Sequence, residues 1–165
     1  MTVRIVIATA AALLAAGCED GPRVGNSVTL EVSDPIYEVS EDDAEMEAAM
    51  RQAIASLPGF YRRLADPAAD ETEFMVKFDI LPGEDNEYVW AGELDRSSTP
   101  MTGVLMNQPE ATDHRLGQRV PIPESDIIDW SYRKGRVVQG GFTSRALLRH
   151  MPPDEAAAMR NQLGW

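Results

Sequence analysis

The stretch Asp126–Arg145, DIIDWSYRKGRVVQGGFTSR, brings together side chains whose types could do chemistry. A carboxylate such as Asp129 can act as a general acid or base, and Tyr132 or Arg145 could assist it in a hydrolase or transferase. An aromatic wall, an amide, an acid, a phenol, a hydroxyl and a guanidinium would equally suit a small polar or anionic ligand. The residues that would supply these groups are Trp90, Asn107, Asp129, Tyr132, Thr143 and Arg145.

The same stretch also fits a purely structural corner. Trp130 is a large core anchor whose indole N–H needs a partner. Gly140 and Gly141 can bend the chain or admit a close backbone before Thr143 begins a helix. Arg145 could then reach back to Asp129 in a buried, charge-assisted pair. We interpret the stretch first as a corner that closes the sheet, and second as a ligand site.

Other chemistry has little support in the sequence. The two histidines, His114 and His150, lie outside the motifs, in a loop and at a predicted helix end. The sequence contains no HExxH motif, calcium-binding Asp-rich loop, GxSxG elbow or phosphate-binding glycine loop. We therefore predict that the protein binds no metal and no cofactor. We also favour a noncatalytic domain over an enzyme.

The start of the chain predicts export and a lipid anchor. Arg4 precedes the uncharged run IVIATAAALLAAG, which is too short to span a bilayer and is typical of a secretory signal over residues 1–17. Its end, LLAAGC, resembles a bacterial lipobox, so Cys18 is predicted to carry the lipid; the alternative is an ordinary signal with a chance cysteine. Cys18 is the single cysteine of the chain, and lipidation would consume its thiol. The predicted location is the periplasm-facing cell envelope, with the choice between inner and outer membrane left open.

The charge is strongly acidic, with a formal net charge of -12. Such a charge argues against nucleic acid as a partner, because nucleic-acid binding rewards clusters of Lys and Arg. The polar, turn-rich EDGPRVGNS predicts a flexible acidic linker over residues 18–39, with VTLEV as a short strand within it. Between Glu31 and Glu47 the chain carries acids and no base, which indicates a solvated linker and helix start or, alternatively, a docking surface for a basic partner or a cation. Residues 40–165 are predicted to form one domain.

A helix and then a series of strands are predicted in that domain. A capping-box pattern begins at Ser40, and Met46, Met50, Ala53, Ile54 and Leu57 form one apolar stripe. Pro58 predicts a break near Leu57 and a short second helix. The predicted strands are FMVKFDIL, YVWAGEL, MTGVLMN, GQRVPI, IIDWSY and GRVVQ, and PPDEAAAMRNQLG predicts a closing helix. This order predicts an α+β fold: an N-terminal helix packed on an antiparallel sheet of five to six strands, with C-terminal helices.

These motifs resemble a known family, the YegJ-like bacterial domain, over about residues 49–149. The strongest parts of the resemblance are TGVLMNQP, LGQRV, IIDWSY and VVQGGFTSR, in matching order and spacing. The family includes small envelope lipoproteins and has no assigned activity. The resemblance therefore implies a compact α+β domain and no particular reaction.

Three functions are compatible with the sequence. The first is an envelope lipoprotein whose noncatalytic domain binds an envelope protein or a small polar ligand. The second is a structural accessory lipoprotein without a ligand pocket, and the third is a hydrolase or transferase that uses Asp129. Vacant space beside Asp129 and Arg145 would favour a ligand or a reaction, whereas a filled core would favour a structural role.

Overall fold

The computed structural model of the protein describes residues 2–6, 36–40, 43–83 and 86–165, with backbone alone for the first two ranges. Cys18 and the predicted VTLEV strand lie outside the described residues. The signal peptide, the lipid anchor and the linker up to residue 35 therefore stay predictions, whereas residues 36–39, which the predicted linker includes, belong to a strand.

The first helix, α1 (Ala44–Ala65), begins later than the capping-box pattern predicts. Its N-cap is Asp43, whose carboxylate accepts hydrogen bonds from the backbone N–H groups of Glu45 and Met46, both at 2.9 Å. Ser40 instead ends a strand. A carboxylate at the N-cap also complements the positive end of the helix dipole, so the start of α1 is well determined.

The predicted break at Pro58 is wrong, because α1 continues through it. Leu57 and Phe60, on either side of the proline, are both buried in the same core, so packing stabilises the helix on both sides of Pro58. Pro58 has no N–H to donate to the carbonyl of Ile54, four residues earlier in the helix. Both residues face solvent. Ile54, predicted to lie in the apolar stripe, is 52 % exposed, and Phe60 extends the stripe in its place.

The described residues form one sheet of eight strands. The strands are β1 (Thr2–Val6), β2 (Ile36–Ser40), β3 (Glu71–Asp79), β4 (Glu87–Asp95), β5 (Met101–Leu105), β6 (Arg119–Ile122), β7 (Ile127–Lys134) and β8 (Val137–Gly140). Six of them, in the order β6-β5-β4-β3-β7-β8, are antiparallel throughout. The predicted α+β fold with an antiparallel sheet of five to six strands is confirmed for this part.

The remaining two strands extend the sheet from β4. Strand β1 pairs in parallel with Glu87 and Tyr88 of β4, and β2 pairs antiparallel with β1. Strand β5 pairs with a later part of β4, from Ala91 to Asp95. Because β1 lies within the predicted signal peptide, cleavage before Cys18 would remove it from the mature protein.

Two helices complete the domain, α2 (Phe142–Leu147) and α3 (Pro153–Leu163). The main core lies between α1 and one face of the sheet, where Phe60, Val76, Phe78 and Trp130 are buried together. The alternation of apolar residues in β3 predicts this face correctly. Helix α2 follows β8 directly and contacts both α1 and β7.

Candidate functional site

The double glycine forms a sharp corner between β8 and α2. Gly140 and Gly141 have φ values of 74° and 63°, a left-handed conformation that other residues adopt at a cost. A Cβ atom on Gly140 would also collide with the Trp130 carbonyl and lie 2.6 Å from its ring atom Cε3. The Gly141 N–H donates to that carbonyl at 2.8 Å. The corner therefore exists because the backbone passes directly against Trp130.

The Asp129 carboxylate is wholly buried behind this corner and binds the start of α2. It accepts hydrogen bonds from the backbone N–H groups of Trp130 at 2.8 Å, Phe142 at 3.2 Å and Thr143 at 2.8 Å. The Thr143 hydroxyl donates to it as well, at 2.7 Å. Phe142 and Thr143 begin α2, so Asp129 supplies acceptors that the first helical N–H groups would otherwise lack.

The cation beside Asp129 is Lys77, a residue that the sequence reasoning missed. Lys77 lies opposite Asp129 in the pairing of β3 with β7, and opposite Trp90 in the pairing of β3 with β4. Its ammonium is fully buried, donates to the Thr143 hydroxyl at 3.1 Å and lies 4.9 Å from the centre of the Trp90 ring. Thr143 therefore links the ammonium to the carboxylate. We call Lys77, Asp129 and Thr143 the buried triad.

Burial and mutual charge decide the ionisation of the triad. Loss of solvation lowers the pKa of Lys77 to about 8, although the Asp129 charge opposes the shift. Burial likewise raises the pKa of Asp129, against the effects of Lys77 and the hydrogen bonds from Thr143 and Trp130. A lysine with a lowered pKa is what a Schiff-base nucleophile requires, but this ammonium is 0 % exposed and hydrogen-bonded.

The predicted Asp129–Arg145 pair is wrong. The Arg145 guanidinium is exposed, donates to the carbonyls of Gly140 and Val138, both at 3.1 Å, and stacks over the Trp165 ring. Residues two apart in a helix point in nearly opposite directions, so Thr143 and Arg145 cannot both face Asp129. The corner is held by the carboxylate and the glycines, and its buried cation comes from β3.

Trp130 and Tyr132 lie on the opposite face of β7 from Asp129, because side chains alternate along a strand. The Trp130 indole N–H donates to the Ala53 carbonyl and the Ser56 hydroxyl of α1, both at 3.1 Å. Tyr132 stacks beside Trp130, with ring centres 6.0 Å apart. The phenol and the Asp129 carboxylate are thus separated by the sheet, so the structure does not bring the predicted Asp129–Tyr132 combination together.

Asn107 completes the edge of β4 between its two partner strands. Its side-chain oxygen accepts a hydrogen bond from the Trp90 backbone N–H at 2.7 Å, in the way that a neighbouring strand would. The side chain is fully buried, and its amide nitrogen has no hydrogen-bond partner among the described residues. Trp90 therefore adjoins the triad through its ring, whereas Asn107 contacts the backbone of Trp90.

A signal for Lys77 was present in the sequence. It is the one charge among the apolar residues of FMVKF, on the strand face that alternation assigns away from the main core. Burial of that face depends on α2, which begins 65 residues later in the chain. Local periodicity identifies the face but does not reveal that a second layer covers it.

A separate groove lies on the other face, between α1 and β7, with a volume of about 540 Å³. Its lining residues are Ser56, Gly59, Phe60, Arg62, Arg63, Asp66, Trp130 and Tyr132. We call it the aromatic groove. Another groove, of about 420 Å³, lies beside Tyr61, over which the Arg96 guanidinium stacks at 3.8 Å. Neither groove is lined by a residue of the buried triad.

The match with known proteins now assigns the family. Residues 43–165 match the family described as "Uncharacterized protein conserved in bacteria (DUF2314)". The chain belongs to this family. The chain is also 31 % identical over 134 residues to the uncharacterized protein YegJ of Escherichia coli K12. The aligned region covers 81 % of this chain and 86 % of that protein. The predicted YegJ-like resemblance is therefore confirmed.

A further relative is a putative ankyrin repeat protein of Neisseria meningitidis serogroup B. It is 30 % identical over 129 residues, which is 73 % of this chain and about half, 51 %, of that protein. No solved structure matches the chain. The DUF2314 match begins at the N-cap of α1, so it includes the buried triad and both grooves but neither β1 nor β2.

The described part of this DUF2314 chain has neither a membrane-spanning helix nor a candidate metal site. No helix there has the length and apolar character needed to cross a membrane. Across the same residues, no cluster of three or more His, Cys, Asp or Glu side chains is arranged to hold a metal ion.

Proposed function

We propose that the protein is a membrane-anchored lipoprotein of the bacterial envelope whose DUF2314 domain is a noncatalytic binding module. The observation that carries the noncatalytic part is the buried triad. Its carboxylate accepts four hydrogen bonds, and its ammonium is buried against Thr143 and Trp90. Groups that satisfy one another in this way stabilise a corner and have no vacant position for a substrate.

Binding is favoured over a purely structural role by the aromatic groove. The groove is open to solvent and is lined by Trp130 and Tyr132 together with charged residues at the end of α1. Concave sites with aromatic walls and a few charged groups are typical of ligand binding. The accessory role without a pocket is the second candidate, and it would hold if the groove bound nothing.

The anchoring part is supported by the LLAAGC motif and by the single cysteine of the chain. Several acyl chains on Cys18 would hold the protein firmly, because one chain alone gives only marginal membrane binding. The domain would then face the periplasm, without any need for a spanning helix.

The test is metabolic labelling with an alkyne fatty-acid analogue in a bacterial host. The wild-type chain should be labelled and sediment with membranes, whereas Cys18→Ser should lose the label and leave the membrane fraction. Ala15→Leu is the matched control, since a larger aliphatic residue is commoner at that lipobox position and labelling should persist. Equal labelling of the wild-type and Cys18→Ser chains would disprove the anchor.

A further inference from the structure

Strand β8 forms one edge of the sheet and carries no protective residue of its own. Within the described ranges it pairs with β7 on one side and with no strand on the other. An edge strand presents backbone N–H and C=O groups that can pair with another chain, and natural proteins often block such edges with charges or proline. The opposite edge of the antiparallel part, β6, has both, in Arg119 and Pro121. Residues 137–144, VVQGGFTS, contain neither.

Two carbonyl groups of β8 are instead bonded to side chains. The Trp165 indole N–H donates to the Val138 carbonyl at 2.8 Å, and Arg145 Nη2 donates to the same carbonyl at 3.1 Å. Arg145 Nε donates to the Gly140 carbonyl, also at 3.1 Å. Backbone groups two residues apart in a strand point to the same side, so both carbonyls lie on the side away from β7. We call Arg145 and Trp165 the edge cap.

The two side chains of the edge cap hold each other in place. The guanidinium carbon of Arg145 lies 3.8 Å from the centre of the Trp165 ring. Gly164 ends α3 with a φ of 74°, and a Cβ atom on it would lie 2.5 Å from the Arg136 carbonyl oxygen. The Trp165 backbone N–H donates to the Arg160 carbonyl at 2.9 Å. The end of α3 is therefore built to bring Trp165 against the β7–β8 hairpin.

Stability alone does not account for the edge cap. Arg145 is exposed, and Asp129 binds the start of α2 without it. Interactions of an exposed guanidinium contribute little to the free energy of unfolding. The cap has a larger effect on the surface, because the carbonyls that it occupies are the acceptors that an added strand would use.

We propose that the edge cap closes the β8 edge to strand addition, and that a second copy of this chain pairs with β8 when the cap is removed. The second copy is the favoured partner because an antiparallel pair of identical strands is symmetric, so one edge supplies both sides of the contact. The uncharged residues 137–144 let two copies approach at this edge, although the whole chain has a net charge of -12. The proposal depends on neither the lipid anchor nor the aromatic groove.

The test is self-association of the full chain carrying Cys18→Ser, so that no lipid is attached. Sedimentation velocity compares this reference chain with the same chain carrying Arg145→Ala/Trp165→Ala. We expect the double variant to form dimers at least about tenfold more tightly, because main-chain hydrogen bonds give an added strand its affinity. Hydrogen exchange locates the contact, since the Val138 amide should become more protected as the concentration of the double variant rises. Arg160→Ala removes an exposed charge outside the cap and should leave association unchanged.

A charge placed on the uncapped edge tests the mechanism. Val137 is 40 % exposed, so Val137→Lys puts an ammonium on β8 without emptying the core. Added to the double variant, it should restore the monomer, because charges on an edge strand oppose pairing. If the double variant does not fold, Arg145→Ala alone serves in its place. That variant keeps Trp165, frees the Gly140 carbonyl and should dimerise at least about threefold more tightly than the reference chain.

Three results would overturn the proposal, with circular dichroism confirming that each variant is folded. The first is a double variant, or Arg145→Ala in its place, that stays as monomeric as the reference chain. The second is a dimer that persists with Val137→Lys, and the third is a dimer without added protection at Val138. Each of these would restrict the edge cap to holding α3 against the hairpin.

Discussion

Removal of the Asp129 carboxylate should be among the most damaging single changes in the domain. Asp129→Ala deletes four hydrogen bonds, from three backbone N–H groups and the Thr143 hydroxyl, and three of the four are buried. Each unmade bond costs about 1 kcal/mol, and the Lys77 ammonium is left buried without its counter-charge, so we expect a loss of about 4 to 5 kcal/mol. Lys77→Met should cost less, about 3 kcal/mol, because the four bonds to Asp129 remain.

The double variant separates this explanation from generic damage. With both charges gone neither is stranded, so Lys77→Met/Asp129→Ala should cost about 2 kcal/mol less than the sum of the single variants. Urea unfolding of residues 28–165, followed by circular dichroism, measures the free energy of unfolding of the two single variants and the double variant. With a slope of about 2 kcal/mol per M, Asp129→Ala should lower the midpoint urea concentration by about 2 M. Arg145→Ala is the control, expected to cost about 1 kcal/mol or less, since the guanidinium is exposed. An Asp129→Ala variant as stable as Arg145→Ala, or strict additivity of the pair, would refute the role assigned to the triad.

Three further predictions concern stability. The pKa of Lys77 is about 8 in the folded chain against 10.5 ordinarily. Between these pH values the unfolded chain therefore binds a proton that the folded chain has released. The free energy of unfolding should rise with pH by about 3 kcal/mol in total, and Lys77→Met should lack that rise in pH-dependent urea melts. Gly140→Ala should lower the free energy of unfolding by at least about 2 kcal/mol, because its methyl group meets Trp130. Gly135→Ala, with a φ of 57° and open space around it, should lower it by about 1 kcal/mol. Equal losses of stability in thermal melts would contradict the close approach of the backbone to Trp130. Pro58→Ala should raise the free energy of unfolding by about 1 to 2 kcal/mol, since it restores a helical N–H on the exposed side of α1, and a lower stability would show that the proline is required there.

The fold was largely predictable because its signals are local. Alternation in β3 assigns Val76 and Phe78 to the core, and the residues around Lys134 and Gly135 predict the β7–β8 hairpin. Local rules fail where a distant element intervenes. The break expected at Pro58 does not occur, because the sheet packs against α1 on both sides of it. The start of α1 moved from Ser40 to Asp43, because Ser40 belongs to a strand.

The candidate site was predicted in part. Trp90, Asp129 and Thr143 do lie around Lys77, because they occupy adjacent strands and the start of α2, and Asn107 binds the backbone of Trp90. The cation was misassigned to Arg145, which is near Asp129 in sequence, although helical geometry points it away. Lys77 was overlooked, since only tertiary structure shows that both faces of β3 are covered. The groove at Gly59 was missed for a related reason, because the predicted break hid the continuous helix that forms its wall.

The unbroken course of α1 also fixes a distance. At 1.5 Å per residue, the 15 steps from Ala44 to Gly59 place the aromatic groove about 22 Å along α1 from its N-terminus. The N-terminus is the end of α1 that is nearer in sequence to the predicted anchor. A break at Pro58 would have let the groove change its orientation relative to the first part of α1. If Cys18 carries a lipid, the distance of the groove from the bilayer would depend on the orientation of the domain and on the length of the chain between Cys18 and β2. Lengthening or shortening residues 18–35, which precede β2, would then move the groove toward or away from the bilayer without altering its shape.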